Sequence, residues 1–153
     1  MAEIIIYADG SANNATHDKG GYGLVIINGT IKQYCGGSYF NTTSIRQEIR
    51  GVLKGLEKCE VGDTITVYTD NDHVVQAIEK KYLWQWRDNN FQGRKNKDLW
   101  VQFLIQWKRL KGKIKLIHVP GHQGNHWNEV CDILAKRGGA KNKKINDSKI
   151  YTK

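Results

Sequence analysis

The chain has 153 residues, of which 39% are hydrophobic, and a formal net charge of +9. This length predicts one domain with its own core, and because no apolar run reaches the ~20 residues of a membrane helix, we expect a soluble protein without membrane contact. Its three cysteines lie far apart, which argues against a disulfide framework or a zinc cluster. The N-terminus lacks the pattern of a signal peptide, so we expect the protein in the cytoplasm.

The first predicted element is a central strand with a candidate functional acid at its end. Residues 4–8 form a continuous apolar run rich in β-branched side chains, which is typical of a strand buried on both faces. Asp9 and Gly10 follow it. Because ligands of open α/β sheets bind at the carboxyl ends of strands, Asp9 is a candidate ligand-binding residue. A simple Asp-Gly turn is the alternative interpretation.

Two more strands and a helix follow, and the helix directs a second carboxylate inward. The strands are separated by Asn28-Gly29, a strong signal for a β-hairpin. Hydroxyl residues after the hairpin can cap a helix whose apolar positions share one face with Glu48. An unpaired buried carboxylate is costly, so Glu48 needs a ligand, a salt bridge to Arg46 or Arg50, or hydrogen bonds from the backbone.

The second half of the chain adds two acids to the candidate set. Asp70 ends a predicted strand as Asp9 ends the first, and Asp132 lies in the last helix, which Asn125 can cap. The helix after Asp70 has its predicted buried side at Val74, Val75, Ile78 and Tyr82. The five predicted strands cover residues 4–8, 22–28, 31–39, 64–69 and 114–119.

Positive charge is concentrated late in the chain. Between residues 80 and 115, eleven basic residues oppose only Asp88 and Asp98, which favours a polyanionic partner over a merely solvated face. Trp84, Trp86 and Phe91 lie within this basic stretch. They form either a small satellite core or a surface on which bases or sugars stack.

The element order allows Asp9, Glu48, Asp70 and Asp132 to meet at one edge of the sheet. Their mutual repulsion would raise each pKa and destabilise the fold unless a divalent cation neutralised them. Oxygen ligands of this kind select magnesium or manganese. Two such ions roughly 3.5 to 4 Å apart can activate a water and stabilise the leaving oxygen in phosphodiester hydrolysis. With the basic charge, this pattern predicts a metal-dependent nuclease.

These residues resemble those of type 1 ribonuclease H from residue 3 to about residue 138. The matching pieces are Asp9-Gly10-Ser11, Gly20-Gly21-Tyr22-Gly23, Thr42-Thr43 with Arg46 and Glu48, Thr69-Asp70, Asp98-Leu99-Trp100, Gly121-His122 with Gly124, and Asn128-Glu129 with Cys131-Asp132. The resemblance implies an α/β fold of the ribonuclease H type, with a five-stranded mixed sheet flanked by α-helices. We expect the catalytic domain at residues 1–140 and a polar, flexible tail at residues 141–153.

The resemblance also implies an activity and a set of site residues. The protein would act as a monomer that hydrolyses the RNA strand of RNA/DNA hybrids, with two Mg²⁺ or Mn²⁺ ions held by Asp9, Glu48, Asp70 and Asp132. His122, on a glycine-flanked loop, would assist proton transfer or product departure. The segment at residues 80–97 resembles the family's basic protrusion, which holds the DNA strand. The residues expected to contact nucleic acid are Gly10, Ser11, Asn13, Asn14, Thr43, Ser44, Arg46, Asn71, Trp84, Trp86, Arg94, Lys95 and Lys97.

Some features depart from the family or allow another interpretation. Ser44 and Ile45 stand where two asparagines often precede the matching glutamate, which leaves open how the 2′-hydroxyls are read. His118, His122 and His126 have the spacing of a metal-binding helix, but the intervening proline and glycines disfavour that helix. A related superfamily nuclease, such as an integrase or resolvase, and a non-catalytic hybrid-binding module are the two alternative functions.

Overall fold

A mixed sheet and five helices make up the part of the chain that the computed structural model describes, residues 2–120, 125–140 and 145–147. The strands are β1 (Glu3–Ala12), β2 (Gly20–Asn28), β3 (Ile31–Phe40), β4 (Thr64–Thr69), β5 (Ile114–His118) and β6 (Ile145–Asn146). The helices are α1 (Ser44–Glu57), α2 (Asp72–Glu79), α3 (Tyr82–Asp88), α4 (Lys97–Arg109) and α5 (His126–Ala140). None of these helices is long and apolar enough to cross a membrane.

The strand order is β5-β4-β1-β2-β3-β6, so β1 lies inside the sheet as predicted. β1 pairs with β2 and β2 pairs with β3 in antiparallel fashion, whereas the β1–β4, β4–β5 and β3–β6 pairs are parallel. This arrangement confirms the predicted α/β class. The sheet has six strands rather than the expected five, because Ile145 and Asn146 pair with the end of β3.

The central strand β1 is buried mainly on one face, which corrects the prediction of two covered faces. Ile4, Ile6 and Ala8 are buried in the core, whereas Ile5 on the opposite face is 37% exposed. The helix α5 packs on that opposite face, and Cys131 donates an Sγ hydrogen bond to the Tyr7 carbonyl oxygen at 3.1 Å. On this face α5 therefore covers the carboxyl half of β1, where the candidate acid Asp9 lies.

Contact between α5 and the sheet depends on a glycine in β2. A Cβ atom at Gly23 would lie 2.4 Å from the Cys131 carbonyl oxygen and 2.6 Å from the Leu134 Cβ. Real side chains do not approach backbone atoms this closely, so any larger residue would push α5 outward. Gly23 thereby allows the backbone of α5 to rest almost directly on the sheet.

The helix predicted after Asp70 is interrupted. α2 ends at Glu79, and Lys81 adopts φ +64°, a left-handed conformation that stops the helical path before α3 begins. The turn leaves Tyr82 39% exposed, which corrects its predicted place on the buried side. Leu83, the next residue, is fully buried instead.

A buried ion-pair network ties the start of α1 to the C-terminal segment. Asp147 lies next to β6 and is fully buried, 2.9 Å from Arg46 Nε and 2.8 Å from an Arg50 guanidinium nitrogen. Thr42 donates a hydroxyl hydrogen bond to the same carboxylate, and Arg46 also pairs with Asp98 of α4 at 2.7 Å. Burial alone would raise the pKa of Asp147, but the hydrogen bonds from the two arginines lower it to about 2.

This network predicts a large stability loss for Asp147→Asn. The substitution leaves the buried Arg50 and the half-buried Arg46 without their shared carboxylate, which should lower the free energy of unfolding by about 3 kcal/mol at pH 7. Because folding lowers the pKa of Asp147 from 3.8 to about 2, this contribution is present above pH 4 and is lost as the pH falls toward 2.

Urea unfolding measured at pH 7 and at pH 3 tests this prediction. Asp88→Asn is the matched control, since the Arg87–Asp88 pair is exposed and should contribute less than about 1 kcal/mol. An Asp147→Asn variant as stable as the Asp88→Asn variant at pH 7 would contradict the structural role of the network.

Candidate active site

Three carboxylates converge at the carboxyl edge of the parallel strands. Each of Asp9, Glu48 and Asp70 offers an oxygen, and these oxygens all lie within 4.8 Å of one another. Asp9 and Asp70 follow Ala8 and Thr69, which are direct partners in the parallel β1–β4 pair, so the register places both acids at the same height. Glu48 approaches from α1, and the Thr43 cap, which accepts a hydrogen bond from the backbone N–H of Arg46, fixes the start of that helix.

Gly10 joins two of these acids. Its backbone N–H lies 2.9 Å from Asp9 Oδ1 and 2.7 Å from Glu48 Oε1, and it donates to both. A Cβ atom at this position would come 2.3 Å from the Glu48 backbone nitrogen, so only glycine permits the close approach of α1 to β1. Sequence reasoning selected Gly10 as a nucleic-acid contact, but it missed this organising role, because the approach of α1 to β1 has no local sequence signal.

The cluster is strained electrostatically without a counter-charge. Burial raises the pKa of Asp9 to about 6, and the charges of Asp70 and Asp132 add to that rise. Burial also raises the pKa of Glu48 well above its usual range, with the adjoining Asp9 as the next cause. Glu48 Oε2 is buried and has no hydrogen-bond partner among the described residues.

These features fit a divalent cation. Convergent carboxylate oxygens are the ligands that hard cations prefer, and none of the described residues donates a hydrogen bond to Glu48 Oε2. The alternative partners of Glu48 are Arg46, Arg50 and the backbone. The backbone N–H of Gly10 donates to Glu48 Oε1, and both arginines form salt bridges with Asp147. The acid cluster is therefore a candidate metal centre.

Asp132 stands apart from the other three acids. It lies on α5, and its Oδ2 atom is 3.0 Å from Lys136 Nζ. It raises the pKa of Asp9 through its charge, yet it is not among the residues whose ligand atoms fall within 4.8 Å of one another. Its role as a fourth metal ligand stays a prediction.

Of the three spaced histidines, two are described. His118 is exposed at the end of β5, and the His126 ring packs edge-on against Trp127 with centroids 4.6 Å apart. His122 lies outside the described residues, so its catalytic role stays a prediction.

The loop between β1 and β2 contacts the start of α1. The Asn14 side chain and Ser44 exchange two hydrogen bonds of 2.9 Å, one to the hydroxyl and one from the backbone N–H of Ser44. The Asn13 side-chain oxygen accepts hydrogen bonds from the two backbone N–H groups at positions 15 and 16. Both asparagines are exposed beside Ser11, which is half-buried, so this loop offers polar groups next to the acid cluster.

The remaining predicted contact residues divide into capping, packing and exposed groups. Asn71 caps α2 by accepting the Val74 N–H, and Arg46 belongs to the ion-pair network described above. Trp84 and Trp86 are half-buried against the core and pack edge-on against Trp107 and Trp100, respectively. Among these predicted contact residues, Arg94, Lys95 and Lys97 are exposed.

The aromatic stretch is at least partly a satellite core. Phe91 is buried, so it offers no surface for stacking. The Arg94 guanidinium lies 4.4 Å from the centre of the Trp86 ring, whose other neighbours include His73 of α2. Trp86 thus links the exposed cations to the helix that starts beside Asp70.

Comparisons with known proteins agree with this geometry. A family model for RNase H matches residues 1–140. A ribonuclease H of Trichodesmium erythraeum is 35% identical over 144 residues, which cover 91% of this chain and 90% of that protein. The solution structure of the PFV RNase H domain matches with a TM-score of 0.72 and 25% identity, covering 91% of this chain and 95% of that one.

A more distant match extends the comparison of the fold. The foamy viral protease-reverse transcriptase in complex with RNA/DNA hybrid matches with a TM-score of 0.73 and 20% identity, over 91% of this chain and 20% of that one. The matched family model, the curated relative and the acid cluster together confirm the resemblance seen in the sequence. The chain belongs to the RNase H family.

Proposed function

We propose that this protein hydrolyses the RNA strand of RNA/DNA hybrids with two Mg²⁺ ions held by Asp9, Glu48, Asp70 and Asp132, with Mn²⁺ as a substitute. The observation that carries the proposal is the acid cluster, in which carboxylates without enough protein partners converge at the end of two parallel strands. Membership of the RNase H family is the reason for assigning hybrid cleavage to this proposed metal centre. The proposed enzyme is a cytoplasmic monomer.

The three clustered acids have different environments that suit different tasks. Asp9 and Glu48 are buried and share the Gly10 amide, so their oxygens are held in fixed positions. Asp70 is half-buried, so it can turn an oxygen toward a ligand that arrives from solvent. When bound, divalent cations supply activation of a water and stabilisation of the leaving oxygen at the scissile phosphate. His122 would assist proton transfer or product departure from its neighbouring loop.

Nucleic acid would reach the cluster along two exposed polar regions. On one side lies the Asn14–Ser44 pair at the start of α1. On the other side, Trp86 and its Arg94 partner lead from the start of α2 toward Lys95 and Lys97. We propose that the first region contacts the RNA strand near the cleavage point. The second binds the DNA backbone, because clustered cations neutralise phosphates without reading sequence.

The first test of this proposal is Asp70→Asn. Loss of one ligand charge should abolish cleavage of a labelled hybrid in Mg²⁺ while leaving hybrid binding near normal, since the residue contributes to the metal centre rather than to the fold. Asp72→Asn, two residues further along in an exposed position, is the control and should retain full activity. Wild-type cleavage by the Asp70→Asn variant would contradict the proposed metal centre.

A second prediction concerns stability without metal. Folding raises the pKa of Asp9 from 3.8 to about 6, so the charged form opposes folding above that pH and the cost fades as the pH falls toward 4. Asp9→Asn removes this charge, and in a chelator at pH 8 it should raise the free energy of unfolding by roughly 1–3 kcal/mol.

Thermal unfolding in chelator and in Mg²⁺ checks this result. Mg²⁺ should stabilise the wild type, because the ion binds the folded state preferentially. The difference in unfolding midpoint between the Asp9→Asn variant and the wild type should therefore be smaller in Mg²⁺ than in chelator. A lower midpoint for Asp9→Asn than for the wild type in chelator at pH 8 would show that the acid cluster is not repulsive.

A third prediction tests the cationic region. Replacing Arg94, Lys95 and Lys97 together by alanine should weaken hybrid binding for every sequence and flatten the dependence of log K on log salt by roughly 0.9 for each lost phosphate contact. Turnover at saturating hybrid should change little, because these cations bind ground and transition states alike.

The matched control replaces three exposed lysines outside the 94–97 segment, Lys58, Lys113 and Lys115. It removes the same total charge, so it separates a local contact from a change in net charge. Equal salt slopes in the two triple variants would mean that Arg94, Lys95 and Lys97 form a solvated surface.

A further inference from the structure

An apolar concavity lies between α3 and α4. Its volume is about 610 Å³, and its lining is mainly apolar. Val101, Leu104 and Ile105 of α4 contribute aliphatic side chains, while Trp84 and Trp107 contribute ring surface. Ile105 is 51% exposed, so this aliphatic side chain is open to solvent within the concavity. We call this concavity the α3–α4 groove.

Cations border the α3–α4 groove, and acids do not. Arg87, Lys108 and Lys111 are among its lining residues, and no carboxylate is among them. Arg87 pairs with Asp88, which is itself exposed. Within the described ranges, neither Lys108 nor Lys111 forms a salt bridge within 4.0 Å. An apolar floor with a cationic rim is complementary to an acidic ligand that carries apolar side chains.

The α3–α4 groove and the Trp86 side chain lie on different sides of α3. Trp84 and Trp86 are two residues apart on α3, so helical geometry places them about 200° apart. Trp86 packs on His73 of α2, close to Asp70 in the chain, whereas Trp84 lines the groove. A ligand in the groove therefore need not displace a substrate bound on the Trp86 side.

Two other occupants fit the groove less well. A base would need a free aromatic face, but Trp84 and Trp107 pack edge-on at 4.9 Å with Lys81 over both rings. The cationic rim would attract phosphates as well as carboxylates, but a phosphate backbone would leave the apolar floor at Val101 and Leu104 uncovered. A second copy of this chain would bring one basic rim against another, and both copies carry a net charge of +9.

We propose that the α3–α4 groove docks an acidic segment of a partner protein, which inserts one or two apolar side chains between α3 and α4 and places its carboxylates against Lys108 and Lys111. The lining residues of α4 run from Val101 to Lys108, a rise of about 10 Å, which suits two turns of a helix or a short extended peptide. Such a segment would recruit the enzyme to the partner while the hybrid-binding side stays free.

Three fluorescein-labelled synthetic peptides of equal length test the proposal by fluorescence anisotropy with the whole 153-residue chain. The first combines Asp and Glu with Leu and Phe, the second has Lys in place of every acid, and the third has Ser in place of Leu and Phe. We expect the first peptide to bind at least about tenfold more tightly than either of the others, because the groove requires both charge and apolar contact. Equal binding of the first and third peptides would overturn the proposal, since it would indicate non-specific attraction to a basic protein.

Variants of the protein locate the binding. Lys108→Glu combined with Lys111→Glu should weaken binding of the first peptide about tenfold, and Ile105→Ser should weaken it several-fold. The matched control, Lys113→Glu with Lys115→Glu, reverses two exposed neighbouring charges outside the groove and should change the affinity less than about twofold. Peptide binding that falls equally in the control would overturn the proposal.

Hybrid cleavage by the same variants distinguishes this surface from the nucleic-acid surface. The Lys108→Glu/Lys111→Glu variant and its Lys113→Glu/Lys115→Glu control should have the same KM for hybrid and the same kcat. A KM that rises only in the groove variant would assign the groove to nucleic acid and overturn the proposed protein partner. Because the metal centre is unchanged in both variants, this outcome is separate from any failure of the proposed function.

Discussion

The contact between β1 and α1 at Gly10 is the constraint on which the rest of the site depends. One backbone N–H donates to carboxylates from two different elements, and the missing side chain lets the Glu48 backbone approach within the space that a Cβ would occupy. This contact fixes the position of α1 relative to β1. Because β4 pairs with β1 in register up to Thr69, Asp70 is then placed as well.

Buried carboxylates have opposite pKa shifts in the acid cluster and in the Asp147 network. At Asp147, two arginines and a hydroxyl satisfy a fully buried carboxylate and lower its pKa. In the acid cluster, one amide serves two carboxylates, and the pKa of Asp9 and of Glu48 rises. Arg46 and Arg50 of α1 neutralise the buried Asp147, whereas the acid cluster, which includes Glu48 of the same helix, has no such pair of cations among the described residues. A cation from solution can therefore supply the missing positive charge in the acid cluster. This contrast is the physical reason for placing the metal there.

Local patterns in the sequence predict most of the site, and long-range packing accounts for the rest. Apolar runs that end in Asp9 and Asp70 predict strands with acids at their ends, and helical periodicity turns Glu48 inward, so the three acids that meet could be inferred without coordinates. Asp147 had no such signal, because its partners lie about one hundred residues away. Asp132 depends on the placement of α5, which the glycine at position 23 sets through backbone contact rather than through periodicity.

The local errors have similar causes. The apolar run of β1 suggested two covered faces, but α5 covers only the carboxyl half of the strand and leaves Ile5 exposed. The helical period of the α2 region continues through Tyr82, whereas the chain breaks it with a left-handed residue at Lys81. Neither feature is visible in a pattern of apolar residues, since the first depends on the position of α5 and the second on the backbone conformation of one polar residue.

A parallel cleavage assay tests the central claim most directly. Labelled RNA/DNA hybrid, duplex RNA and duplex DNA of the same sequence are each incubated with the protein in Mg²⁺ and in a chelator. We expect that only the RNA strand of the hybrid is cut, and only in Mg²⁺, because we assign divalent cations to the acid cluster and because the chain belongs to the RNase H family. Cleavage that persists in the chelator, or that proceeds equally on duplex DNA, would contradict it.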